Sequence, residues 1–133
     1  MRTKEYMINK AIDIAKNDPK VFILMAYESL STMREDIDEF ISLKRTELSI
    51  NMRESKVTAD GGGVIKFVAA NGEDLSRTGV CCYQCTHIFI MQYMEISFEN
   101  IQYLRSRLRS HHTPVIEPMG IYCPWGVERV IPY

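Results

Sequence analysis

Apolar and polar positions divide the chain into alternating helices and strands. From Thr3 to Asn17, apolar residues recur at Met7, Ile8, Ala11, Ile12 and Ala15, the spacing of a helix with one buried face; Asn17, Asp18 and Pro19 end it. "VFILMA", residues 21–26, is an unbroken apolar run, which predicts a strand covered on both faces in a parallel sheet. Thr32 and Glu35 have capping-box spacing ahead of Met33, Ile37, Phe40 and Ile41, so a second amphipathic helix is expected to run to about Lys44 or Arg45. "LSINM", "KVTA", "DGGG" at 60–63 and "VIKFVAA" follow. Consecutive glycines between two β-rich runs predict a hairpin over 56–69. A phosphate cradle needs its glycines between a strand and a helix N-terminus, followed by Lys and Ser or Thr, whereas here Val64 and Ile65 follow.

Beyond a polar loop at 71–79, "THIFIM" predicts a second buried strand, and Ser97 caps a helix whose apolar face is Phe98, Ile101, Leu104 and Leu108. The segment 114–123 has room for one short strand after Pro118, before "PWG" stops it. Alternating helices and buried strands with an inserted hairpin predict a three-layer α/β domain, with at least three parallel strands, spanning 1–133 as one unit.

Composition narrows the class more than the function. The 133 residues carry 16 Lys and Arg against 17 Asp and Glu, so no basic field advertises nucleic acid and no acidic excess suggests disorder. No apolar run approaches the roughly twenty residues of a membrane span, and "MRTKEYMINK" has no apolar signal-peptide core. A cytoplasmic protein without membrane contact is expected. Cys81, Cys82 and Cys85 crowd one loop and Cys123 stands apart, a usage that fits reduced thiols better than a disulfide framework.

Two clusters have ligand-like chemistry. Cys82-x-x-Cys85 with His87, and Cys81 or Cys123 as further ligands, offers the residue types of a structural zinc site, and strand alternation would put Cys85 and His87 on one face. A second paired knuckle is lacking, so loop and buried thiols are the favoured reading. Redox work by the CxxC pair is disfavoured, because the thioredoxin-type motif needs a helix after its first Cys, and here a strand follows. Arg105, Arg107 and Arg109, ahead of His111 and His112, form a basic helix end. The helix dipole alone favours cations there; phosphate contacts, with Tyr103 and Trp125 for stacking, are the sharper reading, which the net charge of −1 weakens.

The succession "VFILMAYESLSTMREDIDEFISL", "GGGVIKFVAANGEDLSRTG", "THIFIMQYMEISFENIQYLRSRLRS" and "GIYCPWG" resembles the ATPase half of phage large terminase subunits, the DNA-packaging motors of tailed phages. The likeness runs in order over nearly the whole chain. It implies a P-loop NTPase-like fold, partial here because the first, phosphate-loop strand is missing ahead of "MRT". By the same resemblance Arg2 and Thr3 correspond to the basic residue and hydroxyl that end that loop. The strand "HIFI" corresponds to the one that ends in a metal-holding Asp and a catalytic Glu, but Met91 and Gln92 stand there. Met cannot hold a water on Mg²⁺ and Gln cannot take a proton, while Glu95 lies four positions past Met91. The position of an Asn-Pro-Gly-Gly strand end reads Cys123, Pro124, Trp125, Gly126.

The expectation is therefore a catalytically silent, terminase-like protein of phage or prophage origin that binds a protein partner or DNA and needs no cofactor. The alternative is an ATP- and Mg²⁺-dependent packaging or helicase-type component whose phosphate loop is supplied by another chain or an upstream segment. The sheet of such NTPases runs fifth, first, fourth, third, second strand. Losing the first and fifth leaves "MGIYC", "THIFIM" and "VFILMA" contiguous, with "MGIYC" as a raw edge. That edge is expected to take a partner strand or a second copy, unless "VERVIPY" folds back over it.

Overall fold

A computed structural model describes residues 3–43, 46–70, 85–91, 96–108, 120–124 and 126–129. Helix α1 (Lys4–Asn17) leads into strand β1 (Phe22–Tyr27), then α2 (Leu30–Ser42) and strands β2 (Leu48–Asn51), β3 (Lys56–Ala59) and β4 (Val64–Ala69). Strand β5 (His87–Ile90), helix α3 (Phe98–Arg105) and strands β6 (Gly120–Cys123) and β7 (Gly126–Arg129) complete the order.

The strands form one mixed sheet in the order β2-β3-β4-β1-β5-β6-β7. Its centre, β4, β1, β5 and β6, is parallel, and β3, β2 and β7 run antiparallel at its margins. Alternation along the central strands sorts the core into two layers. Ile23, Met25 and Tyr27 of β1 join Ile65, Phe67, Phe89 and Tyr122 under α1 and α2. Leu24, Ala26, Val68, Ile88 and Ile121 meet Ile101, Leu104 and Leu108 on the α3 side. The protein is an α/β domain with helices on both faces of the sheet.

Several expectations change in detail. The helix after β1 is capped by Ser29, whose Oγ accepts from the Thr32 backbone N–H at 3.3 Å, so Thr32 lies inside the first turn and is not the cap. One residue beyond Phe40, Ile41 is rotated off the buried stripe and is 43% exposed; Phe98, at the first position of α3, is 72% exposed. The hairpin over 56–69 is present, but β4 is not a mere insertion: it pairs in parallel with β1 from Phe22–Val64 to Tyr27–Ala69. Its run "VIKFVAA" is nearly as apolar as that of β1, as an interior strand requires.

The raw edge expected at "MGIYC" is covered. After Cys123 the chain reverses, and β7 pairs with β6 from Cys123–Gly126 to Gly120–Arg129, occupying the backbone groups that a partner strand would need.

The three glycines do two different jobs. Gly62 has φ of +102°, the left-handed region that favours glycine. Gly61 and Gly63 are required by proximity: a Cβ on Gly63 would lie 2.7 Å from the Ala15 Cα, and one on Gly61 would lie 2.5 Å from the Lys16 carbonyl oxygen. The hairpin turn thus abuts the last turn of α1.

Candidate functional site

In open α/β sheets, ligands bind outside the carboxyl ends of the parallel strands. At that end of this sheet, Tyr27 closes β1, Met91 follows β5 and Pro124 follows β6. Helices α1 and α2 both begin there. Thr3 caps α1, its Oγ1 accepting from the Tyr6 backbone N–H at 3.1 Å. Between these elements lies a cavity of about 250 Å³ lined by Lys4, Met7, Tyr27, Thr32, Glu35, Asp36, Met91 and Pro124.

Its polar floor is Asp36, a carboxylate placed on the apolar stripe of α2 between Met33 and Phe40. The side chain is only 5% exposed, and Oδ1 lies 3.2 Å from the Lys4 ammonium. Lys4, 46% exposed at the rim, also donates to Glu39 Oε1 at 2.7 Å. Burial raises the Asp36 pKa above the ordinary carboxylate range, an effect that Tyr27 and Lys4 only partly oppose. The Lys4 pKa is raised by its hydrogen bond to Glu39, against some desolvation.

Tyr27 is nearly inaccessible, and burial followed by the Asp36 and Glu39 charges drives its pKa well above the usual phenol value. Its hydroxyl is near enough to Asp36 to influence the charge, yet the pair falls short of hydrogen-bond geometry. Tyr27 Oη and Asp36 Oδ2 are both buried without a hydrogen-bond partner. Such groups carry a desolvation penalty of about 1–3 kcal/mol each.

Residues singled out in the sequence fall in three places. Thr3 and Met91 lie at this strand end, Thr3 as a helix cap and Met91 on the cavity wall. Cys85 and His87 do not share a face. Cys85 belongs to the α3-side core, where its Sγ donates to the Arg107 carbonyl at 3.6 Å. His87 sets its ring against Tyr122 on the α1 and α2 side, tilted by 40° with centroids 5.7 Å apart. The alternation assumed for 85–87 fails because Cys85 forms an isolated bridge to Leu108 and Thr86 a bend, before the strand begins. Cys123 lies at the end of β6 with its Sγ 3.4 Å from the Gly126 carbonyl. Among the described residues, no group of three or more His, Cys, Asp or Glu is placed to hold a metal ion.

Arg105 and Arg107 are at the end of α3, half-buried, with the Arg107 guanidinium 5.6 Å from the centre of the Tyr103 ring. Arg2, Cys81, Cys82, Gln92, Glu95 and Arg109 lie outside the described residues. No described helix is long and apolar enough to cross a membrane.

Lys4, Tyr27 and Asp36 were not flagged by sequence reasoning. The one available signal was a charged residue at a helical position that periodicity assigns to the core. A larger cavity of about 470 Å³ lies between α2 and the β2–β3 turn, lined in part by Met33, Arg34, Met52, Arg53 and Lys66. The Lys66 amine there already donates to the Glu54 carbonyl.

Comparison with the models of known protein families, with curated proteins and with solved structures finds no match for this chain.

Proposed function

We propose that this protein is a catalytically silent relative of the terminase-type P-loop NTPases, of phage or prophage origin, that acts by binding and not by hydrolysing ATP. The observation that carries the reading is the composition of the strand-end cavity. By the resemblance Met91 takes the place of a metal-holding acid, and among the described lining residues Lys4 is the one cation against the carboxylates of Glu35 and Asp36, with Glu39 paired to that same lysine. A triphosphate needs converging backbone N–H groups and cations. The described lining does not supply them.

The alternative, a phosphate loop supplied in trans, meets a steric obstacle. In the NTPases this chain resembles, the phosphate-loop strand lies beside the strand corresponding to β6, and here β7 occupies that side of β6. A partner protein or second copy that adds a strand therefore does so at the outer edges of the sheet, β2 or β7. DNA is the weaker partner, because the net charge is −1 and Arg107 already lies over Tyr103.

Titrating the purified chain with a fluorescent ATP analogue, with and without Mg²⁺, tests this reading. No saturable binding is expected; tight Mg²⁺-dependent binding would refute it.

A further inference from the structure

We infer that the strand-end cavity is a binding site for a small alkylguanidinium, whose charged group takes the Asp36 carboxylate over from Lys4 and whose stem lies along Met7, Met91 and Pro124. The inference rests on the binding-protein reading in one respect, that nucleotide does not occupy this cavity.

The chemistry of the lining selects the ligand. Asp36 Oδ2 is an unused acceptor, and Tyr27 Oη beside it is an unused hydroxyl, both buried at the cavity floor. A guanidinium presents two parallel N–H groups on one edge, one for each oxygen, and carries the positive charge that a buried carboxylate requires. Glu35 adds a further negative charge to the lining. A metal ion is a poorer fit, since the described residues supply no cluster of three or more ligating groups. The remaining lining includes Met7, Met91 and Pro124, which are apolar and suit a short alkyl stem, with the two thioether chains adapting to its shape. At about 250 Å³ the cavity is below the roughly 300 Å³ lower bound of drug-sized pockets, so the occupant is small.

Lys4 acts as the stopper. Its ammonium covers Asp36 from the rim, but the side chain is 46% exposed and its shorter contact, 2.7 Å, is to Glu39. It can therefore leave Asp36 while keeping Glu39, and an entering guanidinium replaces one ion pair with another that is reinforced by a hydrogen bond to Tyr27 Oη. The loss of the Lys4–Asp36 contact is small, because pairs with an exposed partner are weak.

Calorimetric titration of the full chain with n-butylguanidinium chloride, and with n-butylurea as its neutral isostere, tests the inference. Saturable one-to-one binding of the guanidinium and none of the urea is expected. Lys4→Met removes the internal competitor and should tighten binding about fivefold; Tyr27→Phe should weaken it about fivefold; Asp36→Asn should abolish it. N-acetyl-arginine N-methylamide, run in parallel, separates the two sources of this group: tighter binding than n-butylguanidinium assigns the site to an arginine of a protein partner, and weaker binding to a free small molecule. The inference is overturned if the wild-type chain shows no saturable binding, if the urea binds equally well, or if Asp36→Asn binds unchanged. Should Asp36→Asn fail to fold, unchanged affinity in both Lys4→Met and Tyr27→Phe overturns it as well. Mg²⁺-ATP that displaces the guanidinium would overturn both this inference and the reading on which it rests, whereas absence of binding by either ligand removes this inference alone.

Discussion

At the amino ends of β1, β4 and β5 the buried polar side chains are engaged, whereas at the carboxyl ends two of them are not. Asp18 Oδ1 accepts from the Lys20 N–H at 3.0 Å. Thr86 gives its proton to the Phe22 carbonyl at 3.2 Å and accepts from the Phe22 N–H at 3.1 Å, so its 2.8 Å contact with His87 Nδ1 has the imidazole as donor. The hairpin glycines close the same end against α1. At the other end Tyr27 Oη and Asp36 Oδ2 are buried without partners beside a cavity. The amino end is finished as a frame. The carboxyl end keeps unspent hydrogen-bonding capacity, the condition of a surface that completes its contacts with a ligand.

Substitutions at the two ends should separate frame from site, and the largest effect belongs to the frame. Gly63→Ala forces a methyl against the Ala15 backbone, which cannot yield without moving α1; a loss of about 3 kcal/mol is expected in denaturant unfolding. A loss below about 0.5 kcal/mol would mean that the turn does not press on α1.

Thr86→Val is next. It keeps the shape and removes the acceptor of the Phe22 N–H together with the partner of His87, so about 2 kcal/mol should be lost. Tyr27→Phe is its counterpart at the carboxyl end. The hydroxyl makes no hydrogen bond there and only favours the nearby Asp36 carboxylate, so its removal should change stability by less than about 1 kcal/mol. Equal losses in these two variants would erase the distinction between the ends.

The smallest effect is one of pH. Because burial raises the Asp36 pKa, the folded protein holds that proton more tightly than the unfolded chain. Stability contributed by the neutral carboxyl is therefore present in acid and lost as pH rises through the raised value, with Lys4, Tyr27 and Glu39 as the charged or titratable neighbours named by the geometry. Asp36→Asn lacks this loss, so its unfolding free energy should gain on that of the wild type from acid to neutral pH, by no more than about 1 kcal/mol. A gap that moves the other way would contradict the assignment.

How far the sequence revealed these ends depended on the range of the interactions. Helix α1, strand β1, the hairpin and β5 were legible within a residue or two, because one-sided periodicity and unbroken apolar runs are local properties. The place of β4 beside β1, and the closure of the β6 edge by β7, depend on pairing between distant segments and left no local trace beyond the apolarity of "VIKFVAA". The expected pairing of Cys85 with His87 failed for a local reason: strand alternation was carried two residues past the strand's true start. At the site, Thr3 caps α1 and Met91 lines the cavity, two roles that their residue types alone do not announce. Lys4 and Tyr27 acquire meaning only through their contacts with Asp36. Asp36 itself was visible as a charge on the stripe of Met33, Ile37 and Phe40, a local conflict of the kind that marks functional positions.

Methyl NMR of the methionine-labelled chain tests the central claim most directly, because the two cavities carry different methionines. Met7 and Met91 line the strand-end cavity, while Met33 and Met52 line the cavity between α2 and the β2–β3 turn. On addition of n-butylguanidinium, the Met7 and Met91 methyl signals should shift in a saturable manner while those of Met33 and Met52 stay in place. Shifts confined to Met33 and Met52, or no saturable shift in any of them, would contradict the account.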